Sequence, residues 1–429
     1  MPGVRAGWRR TGRVFAVAGP ASCLVGLVGG AFRWFLERAE RLRGSLLEEV
    51  GGAGVWGALV PIVLTAVGAA VACAIARRVP HAAGSGIQHV EAVWRRESDG
   101  RPLRLLPAKF LGGLFAIGSG LVLGREGPIV HMGAAIGSLA GQRTRLDPED
   151  ARLLHTALGG AGLAAAFTAP LGGLLFVCEE VTRTMRPRLV LLTLLSAVVA
   201  VICSRPLIGG GPVFPMPGLA GPPVWTLPVF LLFGVAAGAL GAAYSALIVR
   251  MLEAADRLTA VPPPVRAAVI GAGIGALMAV DPLLAGGGDE LSERLLVGGG
   301  LSVAALAAYL AVRFVAGPLS YAAATPGGLF APLLALGALG GALAHALASP
   351  LLPAHPAGPA AFAVVGMAAL FTGVVRAPLT GIVLVVEMTG AAELLLPLLT
   401  ACFAAAATAD CLRSEPLYDT LRRRMLQRP

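Results

Sequence analysis

Charge is scarce in this chain. Of 429 residues only 14% are Asp, Glu, Lys or Arg, while 56% are hydrophobic and mean hydropathy is +0.78. A soluble domain carries about a quarter of its residues as charged ones, so that class is excluded. Period-two alternation is missing too. The uncharged runs are long and broken by Gly and Pro, which excludes the lipid-facing strands of a β-barrel. Cysteine is sparse: Cys23, Cys73, Cys178, Cys203, Cys402 and Cys411 stand singly in apolar context. They show neither a disulfide framework nor metal spacing and read as small core residues. There is no basic domain of the kind that binds nucleic acid, because the basic residues flank apolar runs. The first apolar stretch, Val14 to Phe32, is long and lacks a small-residue cleavage site, so no cleaved leader is expected.

These absences leave an all-α polytopic protein of the lipid bilayer. Val50 to Ala76 has no charged residue, and Phe314 to Val375 has none apart from two histidines. One helical span needs about 20 apolar residues, so several spans fit. The net charge of +10 follows the positive-inside bias. Arg5, Arg9, Arg10 and Arg13 precede the first span, and Arg422, Arg423, Arg424 and Arg428 follow the last. Both termini are therefore expected in the cytoplasm, residues 1–11 forming a basic N-terminus.

Two halves repeat one another. Ala169-Pro170-Leu171-x-Gly173 runs on to Glu179, and Ala377-Pro378-Leu379-x-Gly381 runs on to Glu387, each acid ten residues after its alanine. Pro128, Gly133 and Gly137 recur as Pro332, Gly337 and Gly341. The expected organisation is a first membrane repeat over 12–204, a Gly/Pro-rich linker over 205–223, a second repeat over 224–412 and a C-terminal helix over 413–429. Gly, Pro or charge interrupts the apolar runs near residues 84, 102, 124, 169, 287 and 327, which predicts many short and broken helices. Most of the 58 glycines read as close-packing positions.

Three strings differ: Gly84-Ser85-Gly86-Ile87, Gly124-Arg125-Glu126-Gly127-Pro128 and Gly327-Gly328-Leu329-Phe330-Ala331-Pro332. Each puts glycine or proline where an apolar helix begins, and the free N–H groups of a helix start bind anions. Within a membrane this reads as an anion pathway with a carboxylate, Glu126, standing in it. A buried acid in a bilayer costs about 2.5–3.5 kcal/mol or more, so such residues are usually functional. The plainer readings are a helix N-cap for Ser85, an ion pair with Arg125 for Glu126, core packing for Leu329, Phe330 and His131, and an interfacial Tyr418. For Glu179 the reading is a helix end or a structural hydrogen bond. Glu179 and Glu180 cannot share one helical face and are expected to meet different environments.

With these strings and the late Tyr418 in this order, the chain resembles the CLC-type chloride channel and chloride/proton antiporter family, in its bacterial form without the cytoplasmic regulatory pair. The likeness runs from about residue 12 to about residue 426. It implies two inverted repeats, a homodimer, and a bacterial inner (plasma) membrane. It also implies an anion site made by Ser85, Gly86, Leu329, Phe330 and Tyr418. Glu126 would be the gate and outer proton carrier, and Glu180 the inner one. Glu91 and Lys109 match charged positions of bacterial members; a buried Lys–Glu support near Glu180 is one arrangement they allow, and isolated surface charges are the other. One departure stands out: Gln88 occupies a position usually held by proline. The resemblance implies exchange of chloride, or a similar monovalent anion, for protons, with no metal, nucleotide or organic cofactor. A passive channel of the same fold is the first alternative. A fluoride-selective exporter is disfavoured by Ser85 and the intact Gly-Arg-Glu-Gly-Pro. A membrane-embedded hydrolase would need Ser85 as nucleophile and His81, His89 or His131 as base, yet no Gly-x-Ser-x-Gly elbow surrounds Ser85.

Overall fold

Proline and glycine cut the apolar runs into pieces, and in the computed structural model a helix starts or stops at most of these cuts. The structure describes residues 2–427 apart from 51–53, 80, 101–102, 217–218, 220, 299 and 351–357. Side chains of residues 2–11 lie outside that description, as does Arg428, so the arginines expected to set the cytoplasmic ends are only partly covered.

The first unit holds α1 (Pro2–Val50), α2 (Val55–Arg77), α3 (Ile87–Trp94), α4 (Leu105–Gly118), α5 (Glu126–Arg143), α6 (Pro148–Phe167), α7 (Pro170–Phe176) and α8 (Pro187–Ile208). The second holds α9 (Leu227–Arg257), α10 (Pro263–Val280), α11 (Asp289–Leu296), α12 (Val303–Ala322), α13 (Phe330–Ala348), α14 (Pro359–Val375), α15 (Pro378–Thr389) and α16 (Leu395–Cys411). A last helix, α17 (Leu417–Leu426), follows. Among the described residues eight helices are long and apolar enough to cross a bilayer: α1, α2, α8, α9, α10, α12, α13 and α16. The others are too short or too weakly apolar, so helices outnumber crossings. One boundary differs from expectation: α8 continues to Ile208 rather than ending near 204. Pro206 sits in its last turn, so the hydrogen bond it forfeits and the crowding of the Ile202 carbonyl by its ring fall at the helix end.

The equal-offset glycines do the same job in both units. A methyl group on Gly133 or Gly137 of α5 would run into the α6 backbone at Leu158 and Leu154. On Gly337 or Gly341 of α13 it would run into the α14 backbone at Gly366 and Phe362. Each pair lets a helix lie directly on the next.

Contacts between the units are reciprocal. Glu179 accepts hydrogen bonds from the N–H of Leu379 (3.1 Å) and from the N–H and Oγ1 of Thr380 (both 2.7 Å), at the start of α15. Glu387 accepts from the N–H of Leu171 (3.1 Å) and Gly172 (2.7 Å), at the start of α7. Such exchange of i-to-j for j-to-i contacts is the mark of a two-fold relation. Both acids therefore cap helices that open with proline and have free N–H groups. Glu179→Ala and Glu387→Ala are each expected to lower stability by about 0.5–2 kcal/mol, the usual cost of a lost N-cap. Chemical denaturation in detergent measures it, and an unchanged midpoint for either variant would remove that cap from the account.

Candidate anion pathway

The three glycine strings meet. Gly84 N–H donates to Thr325 O (2.9 Å) and Gly84 O accepts from Gly327 N–H (3.1 Å). Gly124 and Gly328 exchange both backbone bonds, at 2.7 and 2.8 Å, as an antiparallel bridge. The starts of α3, α5 and α13 are thereby tied to one point. Gly84 and Gly86 have φ of +68° and +90°, backbone that a side chain would strain. At Gly127 a methyl group would strike Ser85, so glycine lets α5 begin against the Ser85 loop.

Two hydroxyl groups face each other there. Ser85 and Tyr418 are fully buried and their hydroxyls approach each other, yet neither makes a hydrogen bond of good geometry. Leaving a buried donor unpaired costs about 1–3 kcal/mol, so two at one point call for an acceptor from outside the chain. The Tyr418 ring stacks on Phe330 (centroids 6.1 Å apart, 27° between planes), and Phe167, Phe176 and Phe371 surround Phe330. Leu329 is fully buried at the N-cap of α13. As the first residues of that helix, Leu329 and Phe330 have N–H groups without an intrahelical acceptor.

Gly86 differs from expectation. Its N–H donates to Gln88 Oε1 (3.2 Å), and the Ser85 N–H donates to the Tyr321 hydroxyl (3.3 Å). A proline at position 88 has no side-chain acceptor, so glutamine here closes an amide that would otherwise be open. The Ser85 hydroxyl, and not the Gly86 amide, is what this tip presents. No histidine is hydrogen-bonded to Ser85 Oγ.

Glu126 sits at the second tip, fully buried. Its Oε2 accepts from Ala331 N–H, in the first turn of α13, over a long 3.4 Å. Its Oε1 has no hydrogen-bond partner and lies 4.0 Å from Arg125 Nε. Arg125 instead pairs with Asp289 (3.0 Å), the first residue of α11. A methyl group on Gly124 would occupy the place of Glu126 Oε2, so glycine leaves room for the carboxylate. Beside Asp289 a cleft of about 770 Å³ opens, lined by Glu37, Glu40, Arg43 and Gly286 to Glu290.

Lys109 and Glu91 do not support each other, contrary to one expectation. The buried Lys109 ammonium donates to Gly84 O (2.6 Å) and Ser85 O (3.2 Å). Glu91 pairs with Arg95 (2.8 Å) and Arg422 (3.2 Å). Asp419 joins the group, 3.6 Å from Arg95 and 3.4 Å from Arg422, and is bound by Arg183 at 2.5 Å. Glu180 is buried beside this cluster, close to Glu91, Asp419 and Arg183, and its Oε1 has no partner. It lies on a π-helical turn, Val177–Val181, a distortion common at functional sites. The extra residue sends Glu179 to α15 and Glu180 inward. Asp419, Arg422, Arg95 and Arg183 were missed in the sequence. The nearest clue was that Asp419 adjoins Tyr418.

A family profile described as "Voltage gated chloride channel" matches residues 67–410. The H(+)/Cl(-) exchange transporter ClcA of Vibrio parahaemolyticus is 37% identical over 96% of this chain and 90% of its own length. The protein of the same name from Klebsiella pneumoniae is 36% identical over 96% and 89%. A solved slow cyanobacterial Cl-/H+ antiporter superposes with a TM-score of 0.89 at 28% identity, covering 97% of this chain and 98% of that one. The profile takes in more than half of the chain, and with it the three tips and most of both helical units: this is an integral membrane protein of the voltage gated chloride channel (CLC) family.

Proposed function

We propose that this protein exchanges chloride, or a similar monovalent anion, for protons across a bacterial inner membrane. The observation that carries the reading is the pair of buried, unpartnered hydroxyls of Ser85 and Tyr418 at the point where three helix starts are tied together. Two O–H donors and the N–H groups of Leu329 and Phe330 suit a small anion that accepts from all sides. The Phe330 and Tyr418 rings line the site and exclude water, which strengthens each of these contacts.

Glu126 supplies the coupling. Ionised, its carboxylate is itself an anion and takes the Ala331 N–H at the start of α13. It therefore competes with a permeant ion for the same partial positive charge. Protonated, it loses that attraction and swings aside, so passage of the anion and uptake of a proton alternate on one side chain. Glu180, buried at the opposite end beside Glu91 and Asp419, collects the inner proton. Arg95 and Arg422 hold Glu91 in place, and Arg183 holds Asp419. The cleft at Asp289 is the outer mouth, and Arg125 draws anions toward it. With the termini in the cytoplasm, the cluster around Asp419 is cytoplasmic. A homodimer with one pathway in each subunit completes the reading, and no catalytic turnover of a covalent bond is part of it.

Purified protein in liposomes under an outward chloride gradient tests this. Exchange requires protons to move inward against their own gradient, read by a trapped pH dye. Chloride efflux without proton movement would establish a passive pathway instead.

A further inference from the structure

Three histidines form a file that the exchange mechanism above does not use. His81, in the loop between α2 and α3, is exposed. Its ring lies flat on that of His89, with centroids 4.4 Å apart and planes within 13°. His89 is buried on α3, and its Nδ1 is 2.8 Å from Nε2 of the fully buried His131 on α5. At its other edge, His131 Nδ1 lies against Gly86: a methyl group there would overlap the imidazole. Gly86 is the residue next to Ser85. The outer nitrogens of the buried pair, His89 Nε2 and His131 Nδ1, make no hydrogen bond of good geometry, although the Asp99 backbone approaches His89. The file therefore has one end at the surface, one end against Gly86 beside Ser85, and a buried nitrogen without a well-formed hydrogen bond at each end of its inner part.

We propose that His81, His89 and His131 are a second route for protons between the cytoplasm and the anion pocket, separate from Glu180. The proposal rests on the proton-coupled reading given above. With the His81 ring swung off His89, water reaches His89 Nε2, which is sealed in the stacked arrangement, and leaves a proton there. His89 passes its Nδ1 proton to His131 Nε2, and His131 releases its own Nδ1 proton into the pocket beside Ser85. One proton enters and one leaves and no bond other than N–H changes; each ring then turns over, exchanging its two nitrogens, before the next proton passes. Neutral imidazole suits this task, because each ring keeps one N–H and one lone pair. The charged and titratable groups around the file are Lys109 on α4 and His155 on α6, with the Asp99 backbone near His89. Lys109 is held on the Gly84 and Ser85 carbonyls, and His155 Nδ1 is bonded to Ser138 Oγ (2.7 Å).

The test compares chloride-driven proton uptake in liposomes for Glu180→Gln and for that variant combined with His131→Gln or His89→Asn. Glutamine at 131 keeps a group at the Nε2 position and deletes Nδ1. Asparagine at 89 keeps a group at the Nδ1 position and deletes Nε2. Glu180→Gln is expected to retain a measurable share of proton uptake, and either double variant to lose it while chloride flux stays within about twofold of the parent. That chloride flux also reports that the variants fold. Proton uptake already absent in Glu180→Gln, or undiminished in the double variants, would overturn the proposal. Absence of proton uptake in the unaltered protein would overturn the exchange reading itself, and shows up in a different sample.

Discussion

Glu126→Gln is expected to abolish proton transport while leaving chloride flux in place. Glutamine has the shape of the protonated acid and cannot ionise. It has no charge with which to compete for the start of α13, so the anion path stands open. Removing a positioned proton carrier typically costs about 100-fold or more in the step it serves. Chloride-driven proton uptake should therefore fall below detection. Chloride flux should persist and lose its dependence on pH. In the unaltered protein that dependence has a fixed sign: acid neutralises Glu126 and favours the open arrangement, so anion throughput rises as pH falls. Continued uphill proton movement by Glu126→Gln would take Glu126 out of the mechanism and leave its burial at the tip of α5 unexplained.

Glu126 was legible in the sequence because its surroundings are local. An acid within Gly-Arg-Glu-Gly-Pro, at the mouth of an uncharged run, states both its burial and its place at a helix start. The repeat was legible for the same reason: offsets such as Gly133 to Gly137 and Gly337 to Gly341 record one packing problem solved twice. The reciprocal capping by Glu179 and Glu387 could be suspected, since each acid follows its alanine by the same count, but the partner helix could not be named.

What escaped the sequence comes from distant segments or from small changes of direction. Arg422 reaches Glu91 and Glu97 from more than 300 residues away, and Arg183 reaches Asp419 across 236. Charges of this kind look like ordinary flanking residues until the fold assembles them. A Lys109–Glu91 support rested on matching charged positions, and such a match does not say which charge meets which. Lys109 had nearer acceptors in the Gly84 and Ser85 carbonyls, which the turn at Gly84 to Gly86 exposes. Gln88 is visible in the sequence as a missing proline, but that its side chain ties down the Gly86 amide is visible only in the fold. The π-helical turn at Val177–Val181, which separates Glu179 from Glu180 so widely, leaves no plain trace in residue type.

The second large effect concerns the hydroxyl pair, and its strength as a test is that stability and binding should move differently. Ser85→Ala and Tyr418→Phe each delete one oxygen that has no partner in the chain. Deleting an unpaired buried donor relieves a desolvation cost, so the ion-free protein should be no less stable. The phenyl ring that Tyr418→Phe leaves behind would keep its stacking on Phe330. Anion binding should suffer. A hydrogen bond to a charged group contributes about 1.5–3 kcal/mol, which is about 10- to 150-fold in affinity for each hydroxyl. The unaltered protein should gain thermal stability on addition of chloride, following the logarithm of ligand concentration over its dissociation constant. The double variant should match or exceed the melting temperature of the chloride-free protein and gain almost nothing from chloride over the same range. Calorimetric titration gives the affinity directly. A double variant that binds chloride as the unaltered protein does would show that these hydroxyls do not hold the ion. A double variant that unfolds without chloride would show that they are structural, joined by a bond the geometry hides.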